Sequence, residues 1–142
     1  MNQLNVDLGV EEFDLGGAVL RFNPTDPNLY ARFLDLEAQL QELQQELAQK
    51  TRQATDAFSV MKQLEATDRQ VKELLTRVFG EENDFSRLLR GVNLLSVGSN
   101  GLSVAENLLS ALEPVLTRGA ERFVEHKTQA AREKARLRRE SL

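Results

Sequence analysis

The chain has 142 residues, enough for one domain, and 41% of them are apolar, so it can bury a core. It has no Cys and no Trp, which excludes disulfides, thiolate metal sites and cysteine nucleophiles. The net charge of −4 hides an asymmetry: from His126 to Leu142 six bases and two acids give +4, so the preceding residues carry −8.

The N-terminus has neither a basic leader nor an apolar stretch of signal-peptide type, and no run approaches the roughly 18 apolar residues of a membrane span. With no disulfide framework, an intracellular setting is expected. Glu12–Leu15 and Ala18–Phe22 flank Gly16-Gly17, a two-residue hairpin signal, because the favoured turns need positive φ at both central residues. Ala18, Leu20 and Phe22 should face one side, with Val19 and Arg21 on the other. Leu4–Leu8 alternates as well and could add a third strand, giving a β segment over about 4–22. An isolated hairpin is marginal in water, so it should rest on a helix or join a partner's sheet.

Asp26 and Pro27 suit the N-cap and first turn of a helix. No Gly or Pro follows until Gly80. Leu29, Phe33, Leu36, Leu40, Leu43 and Leu47 fall at spacings of 4, 3, 4, 3 and 4, a heptad seam. Lys50–Asp56 carries no large apolar residue, and the pattern resumes at Phe58, Met61 and Leu64, then Val71, Leu74, Leu75, Val78 and Phe79. One helix over 27–79 and two helices broken near 50–56 both fit; a break is favoured, since a single helix of roughly 75 Å would be half exposed. Asp84–Arg90 fits a short helix ending at Gly91, and 96–101 reads as a loop. Ser103 and Glu106 have capping-box spacing. A last helix follows with Leu108, Leu109, Leu112, Val115, Leu116, Phe123 and Val124, kinked at Pro114. The expected fold is mainly α: an N-terminal β-hairpin, then long antiparallel helices as a helical hairpin or bundle. Residues 1–125 form the domain and 126–142 a basic, solvated helical tail.

Little supports an enzyme. The one histidine, His126, lies in the basic tail, where a surface role is the default. No metal or cofactor site is indicated: a zinc site needs several His or Cys ligands. Gly98–Gly101 lacks the spacing of a phosphate or dinucleotide loop and reads as a turn. The basic tail has no interleaved aromatic for base stacking, and its bulky apolar residues are too few for a membrane-surface helix. Its bases also suit a helix C-terminus. The seam remains. Its plain reading is internal core; its functional reading is a surface for another helix, with Leu29, Phe33, Leu36, Leu40, Leu43 and Leu47 as candidate contacts.

Three stretches resemble a known family: VLRFNPTDPNLYARF (Val19–Phe33), VKELLTRVFGEE (Val71–Glu82) and AENLLSALEPVL (Ala105–Leu116). In this order, with a charged helix between the first two, the layout over about 20–125 resembles the siphophage tail assembly chaperones, small proteins encoded between the tail tube and tape measure genes. The resemblance implies a helical, acidic protein of the host cytoplasm, absent from the mature virion. It would bind and solubilise the tape measure protein and help recruit tail tube subunits. Some family members are extended by a ribosomal frameshift. The family brings no catalytic residues and no cofactor. Two other readings stand beside it: a scaffolding coiled coil that forms a homo-oligomer through the seam, and a nucleic-acid-binding protein acting through the tail.

Overall fold

The computed structural model describes residues 1–141. It is mainly helical, with an N-terminal antiparallel hairpin, as the sequence pattern predicts. Strands β1 (Glu11–Leu15) and β2 (Ala18–Phe22) pair with Glu11 opposite Phe22 and Leu15 opposite Ala18. Gly16 and Gly17 turn the chain at φ of 60° and 95°, the left-handed pair a tight hairpin requires. Leu20 and Phe22 point into the core, and Val19 and Arg21 point out.

The third strand over Leu4–Leu8 does not form; the sheet has two strands. Gly9 takes φ +67°, and its N–H donates to the Asp7 carboxylate at 2.8 Å, which turns the chain before β1 begins. Asn23 Nδ2 then donates to the Leu8 carbonyl at 2.8 Å. Leu4, Val6 and Leu8 stay exposed.

Helix α1 (Pro27–Gln53) starts where its cap predicts: the Asp26 side chain accepts from the Asn28 N–H at 3.0 Å, with Pro27 in the first turn. It ends at Ala54, and α2 (Ala57–Phe79) follows after a short break. The break coincides with the apolar gap. Asp56 restarts the helix by accepting from the Ser59 N–H at 2.6 Å. Hydrogen bonding to Ser59 holds the Asp56 carboxyl below its usual range. The cap therefore contributes above the ordinary carboxylate pKa and is lost as pH falls through the depressed one. The two helices run antiparallel: the Arg32 guanidinium, near the start of α1, donates from Nε and Nη2 to the Val78 carbonyl, near the end of α2, at 3.1 and 3.0 Å. That carbonyl belongs to the last turn of α2, which has no helical donor of its own.

The hairpin docks at the far end of α2. Asn83 is buried; its Oδ1 accepts from Arg21 N–H at 2.9 Å, and its Nδ2 donates to the Arg21 and Phe79 carbonyls at 2.7 Å each. One amide thus stands in for a neighbouring strand and a further helical turn together. Phe79 meets Phe22, Phe33 and Phe85 at ring-centroid distances of 5.1, 6.4 and 5.7 Å, so hairpin, α1, α2 and the next helix share one aromatic corner. That next helix, α3 (Phe85–Leu88), closes with Arg90 at φ 55°, with Gly91 N–H bonded to the Ser86 carbonyl at 2.8 Å. Arg90 and the expected Gly91, at φ 72°, are both left-handed, and the Arg90 guanidinium donates to the Gly16 carbonyl of the hairpin turn.

Helix α4 (Val104–Glu140) is capped by Ser103, which accepts from Glu106 N–H at 3.1 Å. It runs on through Pro114. Leu108, Leu112 and Leu116 face the core, and Gly119 is buried against the turn before α1. A Cβ at Gly119 would lie 1.7 Å from the Pro24 carbonyl oxygen. Gly119→Ala should improve helix propensity by about 1 kcal/mol and still destabilise the protein. The overlap is with backbone, so α4 must move; a net loss of about 1–3 kcal/mol in urea denaturation is expected.

Candidate functional site

The six seam residues do not share one environment. Leu29, Phe33 and Leu36 are buried in the core at 1–3% exposure. Leu40, Leu43 and Leu47 are half-buried, because α1 extends past the elements that cover its first turns. They form one wall of an apolar groove of about 180 Å³. Thr67, Asp68 and Val71 of α2 form the opposite wall, and Leu94, Leu95, Ala105 and Leu109 close it from the loop and the start of α4. Glu37, Gln41, Gln44 and Glu106 complete the lining, which contains no Lys or Arg.

The groove depends on a buried ion pair. Lys72 Nζ donates to Asp68 Oδ2 at 2.9 Å and to the Val92 carbonyl at 2.8 Å. Asp68 Oδ1 accepts from the Leu94 N–H at 2.8 Å. Both side chains are largely withdrawn from solvent. Asn93 Nδ2 adds a bond to the Leu64 carbonyl at 3.2 Å. Together they hold 92–94 onto α2. The Leu94 carbonyl then accepts from Ala105 N–H at 2.8 Å, and the Ser96 carbonyl accepts from Val104 N–H at 2.9 Å, which sets where α4 begins. The charges are consumed inside the protein: Asp68 lines the groove but is already paired. The rim charge that remains is that of Glu37 and Glu106.

Sequence reasoning missed this pair. Its signal was the gap in the α2 stripe between Leu64 and Val71: Asp68 sits there at spacings of 4 and 3, with Lys72 one helical turn on. A charge on the apolar face of a helix, with an opposite charge four residues away, is the mark of a buried pair. Leu94 and Leu95 were equally hidden, lying in a loop that periodicity cannot place.

Phe58 and Met61 depart from the expected core. They are 71% and 64% exposed, because the last turns of α1, Ala48–Gln53, offer them no bulky apolar partner. The hydrophobic stripe of α2 is partly covered at Leu64 and fully buried only from Val71 onward.

Chemically the groove offers apolar surface with a carboxylate and amide rim. Its volume is below the ~300 Å³ at which small-molecule pockets begin. His126 lies on the exposed part of α4, remote in sequence from any groove residue. Among the described residues no group of three or more His, Cys, Asp or Glu could hold a metal ion, and no helix is long and apolar enough to cross a membrane. No protein-family model, curated protein or solved structure matches this chain.

Lys72→Met leaves the Asp68 carboxylate buried without its cation. A loss of about 3–5 kcal/mol is expected in chemical denaturation. Faster amide exchange should appear at Leu94, whose acceptor is no longer held in place.

Proposed function

We propose that this protein binds an amphipathic helix of another protein in the groove between α1, α2 and the start of α4, and that it works by binding without catalysis. The observation that carries this reading is the groove itself: three leucines of a heptad-spaced row, half open to solvent, facing Val71, Leu95 and Leu109 across an acidic and amide rim. Helix-in-groove recognition uses apolar anchors at spacings of three and four residues, and the spacing of Leu40, Leu43 and Leu47 matches it.

The resemblance to the siphophage tail assembly chaperones supplies a client. The tape measure protein is a long helical polymer that must be kept soluble before the tail tube encloses it. In this reading the chain works in the host cytoplasm, holds the tape measure protein, helps recruit tail tube subunits, and leaves before the virion matures. The acidic body would keep the complex soluble.

The energetics favour a client with many binding segments. Fully burying a leucine contributes about 1.5–3 kcal/mol, so completing the burial of three half-buried ones contributes on the order of 3 kcal/mol. Association itself costs at least ~4 kcal/mol in lost freedom. One groove on one segment is therefore a weak complex, and a client that engages several copies gains by avidity. A scaffolding coiled coil is less well supported, since Leu29, Phe33 and Leu36 are already covered and leave only half the row free.

Co-expression with the tape measure protein of the same genome tests the proposal. The client should move to the soluble fraction and purify with this chain. Leu40→Asp or Leu43→Asp should weaken the complex at least tenfold, about 1.4 kcal/mol, whereas Leu34→Asp, on the exposed side of α1 outside the groove, should leave it intact. An insoluble client with no purifiable complex sinks the reading.

A further inference from the structure

The groove has no base in its lining, and the chain carries its own basic helix. From Glu121 to Ser141 every residue of the described chain is exposed except Phe123, which is half-buried. This stretch holds Arg122, Lys127, Arg132, Lys134, Arg136, Arg138 and Arg139 against Glu121, Glu125, Glu133 and Glu140. One of its faces is a shallow apolar strip of Phe123, Val124, Thr128, Ala131 and Ala135, with Lys127 and Arg132 at its edge. Val124, Thr128, Ala131 and Ala135 recur at spacings of 4, 3 and 4, the period of the groove leucines. Small residues on that strip permit close approach to a shallow floor. The charges are opposite: +4 over residues 126–142, and Glu37 and Glu106 on the rim, within a body (1–125) of −8.

A chain cannot fill its own groove with its own tail. Ala105 and Leu109 line the groove, and α4 continues as one helix from there to Glu140. At 1.5 Å per residue, Ala131 lies about 33 Å along the axis from Leu109. The tail leads away from the groove that its own helix helps to build.

We propose that the basic tail of one copy docks in the acidic-rimmed groove of a second copy, so that the protein associates head to tail until a client helix displaces the tail. The inference rests on the groove being a helix-binding site, as read above. A tail-in-groove contact is heterologous, so it propagates as an open chain or closes as a ring instead of stopping at a symmetric dimer. It also covers the half-exposed leucines before a client arrives. Because the contact joins exposed charges of opposite sign, it weakens with salt.

Sedimentation of the full-length protein across a concentration series tests this. The expected result is concentration-dependent species beyond a dimer at about 0.05 M salt, collapsing to monomer near 0.5 M, where screening is strong. Two full-length variants refine it. In the rim variant, Glu37→Lys with Gln44→Lys, the groove repels the tail. In the tail variant, Arg132→Gln, Lys134→Gln and Arg138→Gln remove three positive charges. These five substitutions fall outside the buried core, so circular dichroism should match the parent. Each variant alone should be monomeric, and their equimolar mixture should form a dimer and stop there, because it contains one intact tail and one intact groove. A monomeric parent at every concentration, or association that survives in both variants, overturns the proposal. So does a tail that binds DNA in a salt-dependent manner while the protein stays monomeric. If self-association fails but the tape measure complex still forms and still needs Leu43, only the tail inference falls; if both fail, the groove reading falls with it.

Discussion

The position of the groove depends on one ion pair. Asp68 and Lys72 occupy the apolar face of α2, where unpaired charges would be strongly unfavourable, and each also makes one hydrogen bond to the backbone of 92–94. That backbone in turn fixes the start of α4 through the Leu94 and Ser96 carbonyls. Replacing the pair with well-packed hydrophobics could give a more stable helix pair, yet it would leave the Leu94 N–H and Val92 carbonyl without partners. What the pair supplies is placement: it holds 92–94 on α2 and so fixes where α4 begins beside the row of leucines.

The opposite end of the molecule is built on a different constraint. The hairpin is too small to be stable alone, and its β2 strand would leave backbone groups unpaired against the helices. Asn83 answers that need at Arg21, and Phe79 supplies the apolar contact beside it. Gly119 brings α4 down onto Pro24 at a distance no side chain would allow. The hairpin end is therefore closely packed while the tip of the helical hairpin, with Phe58 and Met61 in solvent, is not. Burial runs out along α1 and α2 because α4 begins beside Leu40, Leu43 and Leu47 and packs from there back toward the hairpin, as far as Gly119 against Pro24.

These two ends explain what could be read from the sequence. Elements defined by local chemistry were legible: the Gly16-Gly17 turn, the Asp26-Pro27 and Ser103 helix starts, and the break at the apolar gap before Asp56 each follow from neighbouring residues. The third strand was misread because alternation at Leu4, Val6 and Leu8 cannot reveal that Gly9 and Asp7 turn the chain. The groove was half legible. Periodicity identified Leu40, Leu43 and Leu47 but could not separate them from Leu29, Phe33 and Leu36, since all six share one helical face. What separates them is how far the covering elements reach, and that is decided by contacts between residues 20 or more positions apart, such as Asp68 with Leu94.

An open apolar row in an acidic protein also raises a question of solubility. Leu40, Leu43 and Leu47 are half exposed, and Phe58, Met61, Val124 and the N-terminal Leu4, Val6 and Leu8 are more so. Scattered exposed apolar residues are ordinary, but a contiguous row invites association. Net charge limits that association without selecting a partner. Selection needs a second feature, and in the proposed reading the uneven charge of the chain would provide it: an acidic rim would repel another acidic body and admit a helix with bases beside its apolar strip. In the proposed reading such a groove would reject the acidic flank of its own α1 and stay available to basic amphipathic helices. In that reading charge placement does for partner choice what the Asp68–Lys72 pair does for shape.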